Sequence, residues 1–154
     1  MRDSKIDYRQ LEQLKANLEA ISKESDAFFE AAAKELAARL LSKVIRRTPV
    51  GQYPKGSGKV GGTLRRGWTS GKSQSAAAFA NSLTVHRFGD TYVIEVINPV
   101  EYASYVEFGH RTAGGNGWVE GRHMLTISEE EIKRDATGIL EAKRKKWLAG
   151  AEGK

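Results

Sequence analysis

The sequence predicts an α+β fold: a long amino-terminal helix, a small antiparallel β-sheet with a short inserted helix, and a carboxy-terminal helix. Three observations predict it. Leu11, Leu14, Leu18, Ile21, Phe28, Ala32, Leu36, Leu40 and Val44 recur at steps of three, four or seven between Ile6 and Ile45, which is a helical stripe. Leu83 to Phe88 and Thr91 to Asn98 alternate apolar and polar residues around Gly89-Asp90, which is the pattern of a hairpin with a two-residue turn. Ser128 with Glu131 makes a capping box ahead of a second apolar stripe, Ile132, Ala136, Ile139, Leu140 and Trp147.

Taken in order, the first helix would span ~60 Å if unbroken, longer than a small domain is wide. Either part of it projects or it breaks, and Ser22 to Asp26 is the expected break, since Ser and Asp there can cap a second helix beginning near Ala27. Its first segment, spaced close to a heptad seam, packs on another subunit or on its own domain. Thr48-Pro49 stops the helix, because proline lacks an amide donor and pushes its predecessor out of helical geometry. Val50 to Gly67 reads as a flexible loop of glycines, Pro54 and basic residues, and Ser70 to Asn81 as a mobile connection or a frayed extension of the next strand.

Across the hairpin turn, Leu83, Val85 and Arg87 face Val96, Ile94 and Tyr92, and that face is expected toward the core. Asn98-Pro99 is expected to start a short helix, with Asn98 as cap and Glu101 three residues on, ending at Gly109. A second glycine-rich loop, Gly109 to Gly121, leads to an expected strand at His123 to Ile127. In the last helix, Lys143 to Lys146 are expected at the negative end of the dipole.

At 154 residues the chain is read as one domain, 1–154. No window approaches the ~20 apolar residues of a membrane span. Met1 to Asp7 is charged with no apolar core behind it, so synthesis in the cytoplasm without export is expected. The absence of cysteine removes disulfides, thiolate metal sites and cysteine nucleophiles.

Charge is placed unevenly. Between Leu36 and Gly89 there is no Asp or Glu, while Arg39, Lys43, Arg46, Arg47, Lys55, Lys59, Arg65, Arg66, Lys72 and Arg87 are basic, so this third of the chain carries +10 and the remainder −4, for a net charge of +6. Such a block suits a polyanion or an acidic neighbouring subunit, and is equally read as a solvated face. Arg65-Arg66 beside Trp68, and Lys143 to Lys146 beside Trp147, are either basic and aromatic nucleic-acid contacts or tryptophan anchors flanked by solvated charges.

Catalytic chemistry finds no support. His86, His110 and His123 with Glu107 are the available metal ligands, but no two histidines stand four apart on a helix. The glycines of 51–67 follow a helix where a phosphate loop would follow a strand. No catalytic residue, cofactor or metal is therefore assigned. Tyr102, Tyr105 and Phe108 read mostly as core, with the alternative that the exposed tyrosine and Glu107 meet a neighbouring subunit.

Four stretches carry a resemblance: RRTPVG (Arg46 to Gly51), GGTLRRGW (Gly61 to Trp68), NPVEYASYVEFGHRT (Asn98 to Thr112) and GWVEGRHMLTISEEEI (Gly117 to Ile132). The third is the most specific. In these the sequence resembles the phage neck and minor tail-component family of head-tail joining and tail completion proteins, and looks longer than its usual form at Gln52 to Lys59 and Ser70 to Asn81. The resemblance implies a non-enzymatic virion protein forming a homo-oligomeric ring, a hexamer among the candidates, between head-closure and tail-terminator proteins. By that analogy Arg46, Arg47, Lys55, Lys59, Arg65 and Arg66 line a DNA channel or dock on an acidic ring. Tyr102, Tyr105, Glu107, Arg111 and Trp118 are the candidate subunit interface. DNA contact is expected to be transient and non-specific, with no membrane partner. The rival readings are a basic DNA-binding accessory protein and, third, a metal-dependent hydrolase or nuclease.

Overall fold

A computed structural model describes residues 8–152. The charged segment Met1 to Asp7 and the expected helix start at Ile6 lie outside them. Helix α1 (Tyr8–Arg47) runs 40 residues and is followed by two short helices, α2 (Thr63–Gly67) and α3 (Ala76–Ser82). A hairpin, β1 (Val85–Phe88) and β2 (Thr91–Ile94), comes next, then α4 (Ala103–Phe108), a second hairpin, β3 (Gly109–Arg111) and β4 (Trp118–Glu120), and α5 (Met124–Glu152). The antiparallel strands form two separate two-stranded pairs in place of one small sheet.

No break occurs at Ser22 to Asp26. The potential cap Asp26 is used elsewhere: its carboxylate accepts from Arg87 Nη1 (2.6 Å) and from the Tyr92 hydroxyl of β2. Phe28 packs on Trp147 and Phe29 stacks on Tyr92, at 5.3 and 5.2 Å between ring centres, so this turn is held straight from two sides. The helix instead projects, and every described side chain from Arg9 to Glu24 is exposed.

The core gathers at the other end of α1. Ala37, Leu41 and Val44 meet Leu64, Trp68, Phe79, Ala80 and Met124, with Leu83, Ile94, Val96, Val106 and Leu125 partly buried around them. Thr48-Pro49 does end the helix, and Thr48 does more than stop it. Its hydroxyl donates to the Val44 carbonyl (2.7 Å) and accepts from Trp68 Nε1 (2.7 Å), while its carbonyl accepts from Arg65 Nε and Nη2 (3.1 and 2.7 Å). The orphan carbonyls at a helix end need partners, and here they draw α2 onto α1. Part of the expected loop is therefore helix. At Gly67 a Cβ would lie 2.2 Å from Asn98 Oδ1, so only glycine admits this approach of the segment after β2.

Ser70 to Asn81 also departs from expectation. The Ser75 hydroxyl accepts from the Ala78 amide (3.1 Å) and starts α3, which buries Phe79 and Ala80 against α1. The first hairpin has the expected register, Val85 opposite Ile94 and Arg87 opposite Tyr92, with Val85, Tyr92 and Ile94 on the half-buried face. Asn98 does not cap α4. Its Oδ1 accepts from the Val100 amide (3.2 Å) and its Nδ2 donates to the Leu64 carbonyl (2.8 Å), and α4 begins only at Ala103, ending at Gly109.

At the carboxy end, the expected strand His123 to Ile127 is replaced by the first turn of α5. Ser128 lies inside the helix, donating to the Met124 carbonyl (2.6 Å), and caps nothing. The expected stripe Ile132, Ala136, Ile139, Leu140 and Trp147 is half-buried. Lys143 to Lys146 fall short of the last turn, since α5 runs to Glu152, and Lys143 pairs with Glu35 across to α1 (3.1 Å). None of the described helices is long and apolar enough to cross a membrane.

The Thr48 arrangement yields a measurable expectation. Thr48→Val leaves the Trp68 indole N–H buried without an acceptor, which costs about 1–3 kcal/mol in denaturant unfolding. Thr48→Ser keeps the hydroxyl and loses less.

Candidate functional site

The basic block divides into two roles. Arg47 donates from Nη1 to the Ser128 hydroxyl (3.0 Å) and from Nη2 to Glu131, which also takes Lys43 Nζ (2.7 Å). Arg65 is committed to the Thr48 carbonyl. These two expected channel residues are thus parts of the fold. Arg46, Lys55, Lys59 and Arg66 are exposed. Arg66 donates locally, from Nη1 to the Gly61 carbonyl (3.2 Å) and from Nη2 to the Thr63 hydroxyl (3.5 Å), and Lys59 lies over the Tyr53 ring at 5.8 Å.

They do not form one cluster. Arg65 and Arg66 join Lys72, Thr69 and Gln74 around an open cleft of about 460 Å³ with no acidic residue in its lining. Arg46 lines a different groove, with Arg39, Ile139 and Asp135. Lys55 and Lys59 ride on the loop after α1. That loop and α4 enclose an apolar groove of about 250 Å³ in which Val50, Tyr53 and Val60 face Tyr102 and Val106. Lys72 belonged to the basic block in the sequence, yet only the fold shows it beside Arg66.

The aromatic cluster is not core. Tyr102, Tyr105 and Phe108 are 45%, 60% and 63% exposed, and Trp118 on β4 is 55% exposed. Arg111, directly opposite Trp118 in the second hairpin, is exposed as well. Tyr105 and His110 lie 5.9 Å apart between ring centres. At Gly109, φ is +88° and a Cβ would meet the Val119 carbonyl at 2.5 Å, which lets the chain leave α4 directly into the hairpin.

Glu107, expected at the same interface, has the opposite environment and is engaged within its own subunit. It is 5% exposed. Oε2 accepts from the Leu125 amide (2.9 Å), and Oε1 from the Thr126 amide (2.8 Å) and hydroxyl (2.7 Å). This carboxylate caps α5 from another element, the role the local Ser128 was expected to fill. Burial pushes its pKa up, but the Leu125 and Thr126 donors outweigh that and hold it below the usual carboxylate value.

Two further carboxylates are held down at the α1–α5 contact. Hydrogen bonds from Lys43 and then Arg47 lower Glu131 from 4.5 to about 2. For Glu35, burial acts upward and is outweighed by Lys143 and Arg39. His86, His110 and His123 stand on β1, on β3 and ahead of α5, and no group of His, Asp or Glu among the described residues is placed to hold a metal ion.

A folded-state pKa below the unfolded value contributes stability that is present above the unfolded value and lost as pH falls through the folded one. All three shifts are downward, so the melting temperature is expected to be flat from about pH 6 to about pH 8 and to fall between about pH 5 and pH 2. Glu131→Gln should flatten much of that slope in a thermal-melt series. Glu107→Ala, which strips two amides at the start of α5 of their acceptor, should cost about 1–3 kcal/mol at neutral pH.

No curated protein and no solved structure shows a significant match to the chain. The family model described as "Bacteriophage HK97-gp10, putative tail-component" matches residues 12–109. That range takes in RRTPVG, GGTLRRGW and nearly all of Asn98 to Thr112, whereas Gly117 to Ile132 lies beyond it. With nearly two thirds of its length matched, from the projecting helix to the end of α4, the chain belongs to the HK97-gp10-like family of bacteriophage tail components.

Proposed function

We propose that this tail component is a non-enzymatic neck subunit. It closes with copies of itself into a ring at the head-tail junction, through which DNA passes. Identical subunits in head-to-tail contact close into cyclic assemblies, and a six-membered ring is the size proposed here. The observation that carries the reading is the pairing of two unpartnered surfaces around one groove. The loop bearing Lys55 and Lys59 lies on one side, and Tyr102, immediately ahead of α4, on the other. Aromatic side chains left in water on a rigid helix suit a subunit interface, with Tyr102, Tyr105, Arg111 and Trp118 as its candidates. Basic side chains beside them suit a polyanion or an acidic neighbour. With Arg47 and Arg65 committed to the fold, the proposed channel residues narrow to Arg46, Lys55, Lys59 and Arg66, joined by Lys72. Head-closure and tail-terminator proteins are the proposed neighbours, and the virion is the proposed location.

Complementation tests this. In cells infected by a phage lacking the chain, filled heads and tails should accumulate unjoined and be joined again when the wild-type chain is supplied. Trp118→Ala with Tyr105→Ala should lower joining at least about tenfold, the loss of ~1.4 kcal/mol or more of contact energy. Normal joining without the chain would overturn the proposal. A DNA-binding accessory protein is the rival, and its signature is affinity for duplex that falls with salt at a log-log slope of about 0.9 per phosphate contact.

A further inference from the structure

The first third of α1 carries Leu11, Leu14, Leu18 and Ile21 at 51–57% exposure, on a length of helix where nothing else is covered. The reason lies in α5. It runs antiparallel to α1 and covers it from Arg47 to Phe28, through Lys43 and Arg47 with Glu131, Glu35 with Lys143, and Phe28 with Trp147. Where α5 ends, a groove of about 740 Å³ opens among Glu24, Phe28, Lys146, Trp147 and Gly150. Past it the seam continues, since Ile21 stands seven residues before Phe28 and Leu14 seven before Ile21, but no helix lies on it.

We propose that the covering helix is the same segment of a second copy, laid antiparallel, with Leu11 opposite Ile21 and Leu14 opposite Leu18 of the other chain. The seam is complementary to itself in that register: all four layers are apolar, and the two-fold axis passes level with Ala16. Its flanks carry one like-charge approach, Lys15 to Lys15 of the other copy beside the axis, which Glu19 offsets on each helix. Gln10, Asn17 and Ser22 are uncharged, and Lys15 is matched by Glu19 on its own helix at 4.0 Å. The register also brings the amino end of the second copy's α1 level with Glu24, where α5 stops. The incoming helix then continues the path of α5 in the same direction, its positive dipole end meeting the negative end of α5.

Size sets the strength. Four half-exposed aliphatic side chains remove about 100 Å² each, roughly 800 Å² over both copies, which is below the ~1,200 Å² of a stable two-body complex. The pair is therefore a weak, reversible dimer that covers the stripe of the free chain. A two-fold contact is not a ring contact, so this inference stands without the neck reading.

Sedimentation equilibrium of the full chain over a concentration series is expected to show a monomer–dimer equilibrium. Leu14→Glu with Leu18→Glu should raise its dissociation constant at least about tenfold and leave the melting temperature unchanged, because the segment touches nothing else in its own subunit. The chain has no cysteine, so singly introduced thiols report the direction of pairing. Gln10→Cys mixed with Glu24→Cys should oxidise chiefly to the mixed disulfide. A chain that stays monomeric throughout, a double variant that associates as the wild type does, or a predominance of Gln10→Cys homodisulfide would overturn the inference. Complementation could still succeed in each case, so the two readings fail separately.

Discussion

Thr48 is the point at which a very long helix is tied to the rest of the molecule. A helix end leaves carbonyls that must be satisfied. Here one fully buried threonine satisfies Val44 with its hydroxyl, receives the Trp68 indole on the same oxygen, and offers its carbonyl to Arg65. Core assembly follows from that anchoring, since Trp68 and Leu64 reach Leu41 and Val44 only when α2 is held against this turn. α3 and the first hairpin then close over the same few side chains. The core is small, and it sits at one end of α1. What lies more than a few turns away, the projecting first third, is beyond what the body can cover.

Charge does the second part of the work, and it does so within the subunit. Glu131 gathers Lys43 and Arg47, and Glu35 holds Lys143 beside Arg39. Exposed ion pairs are individually weak, but these bridge two long helices at two points several turns apart and help set which faces meet. A third of the chain without acidic residues thus has a structural explanation in part: some of its positive charge is answered by carboxylates far along the sequence. The rest, Arg46, Lys55, Lys59, Arg66 and Lys72, is left on the surface.

How much of this was legible in the sequence follows from the range of the interactions. The stripe of α1, its stop at Thr48-Pro49, the register around Gly89-Asp90 and the apolar face of α5 depend on neighbours a few residues apart, and periodicity reveals those. The starts of α4 and α5 were misplaced because their partners are remote. Asn98 is spent on Leu64, and α5 is capped by Glu107, eighteen residues before Leu125. Ser70 to Asn81 looked featureless because alanines and one phenylalanine form a helix only with α1 to lie on. For the candidate site, the sequence named the exposed aromatic residues but leaned toward core, and a six-residue helix has too few turns to separate inside from outside by pattern. Nothing local marked Arg47 and Arg65 as structural, since their acceptors were unknown until the chain folded.

The cap on α5 has a consequence for how the family's signature relates to the unit that folds. The matched region ends at Gly109, two residues after Glu107, and every hydrogen bond to that carboxylate comes from Leu125 and Thr126 beyond the boundary. A fragment cut there would lose every donor to Glu107, as well as Met124 from the core. The recognisable portion thus borrows part of its own packing from beyond its boundary: Glu107 inside the matched range is held by α5 outside it, and Met124 of α5 sits in the core that the matched helices form.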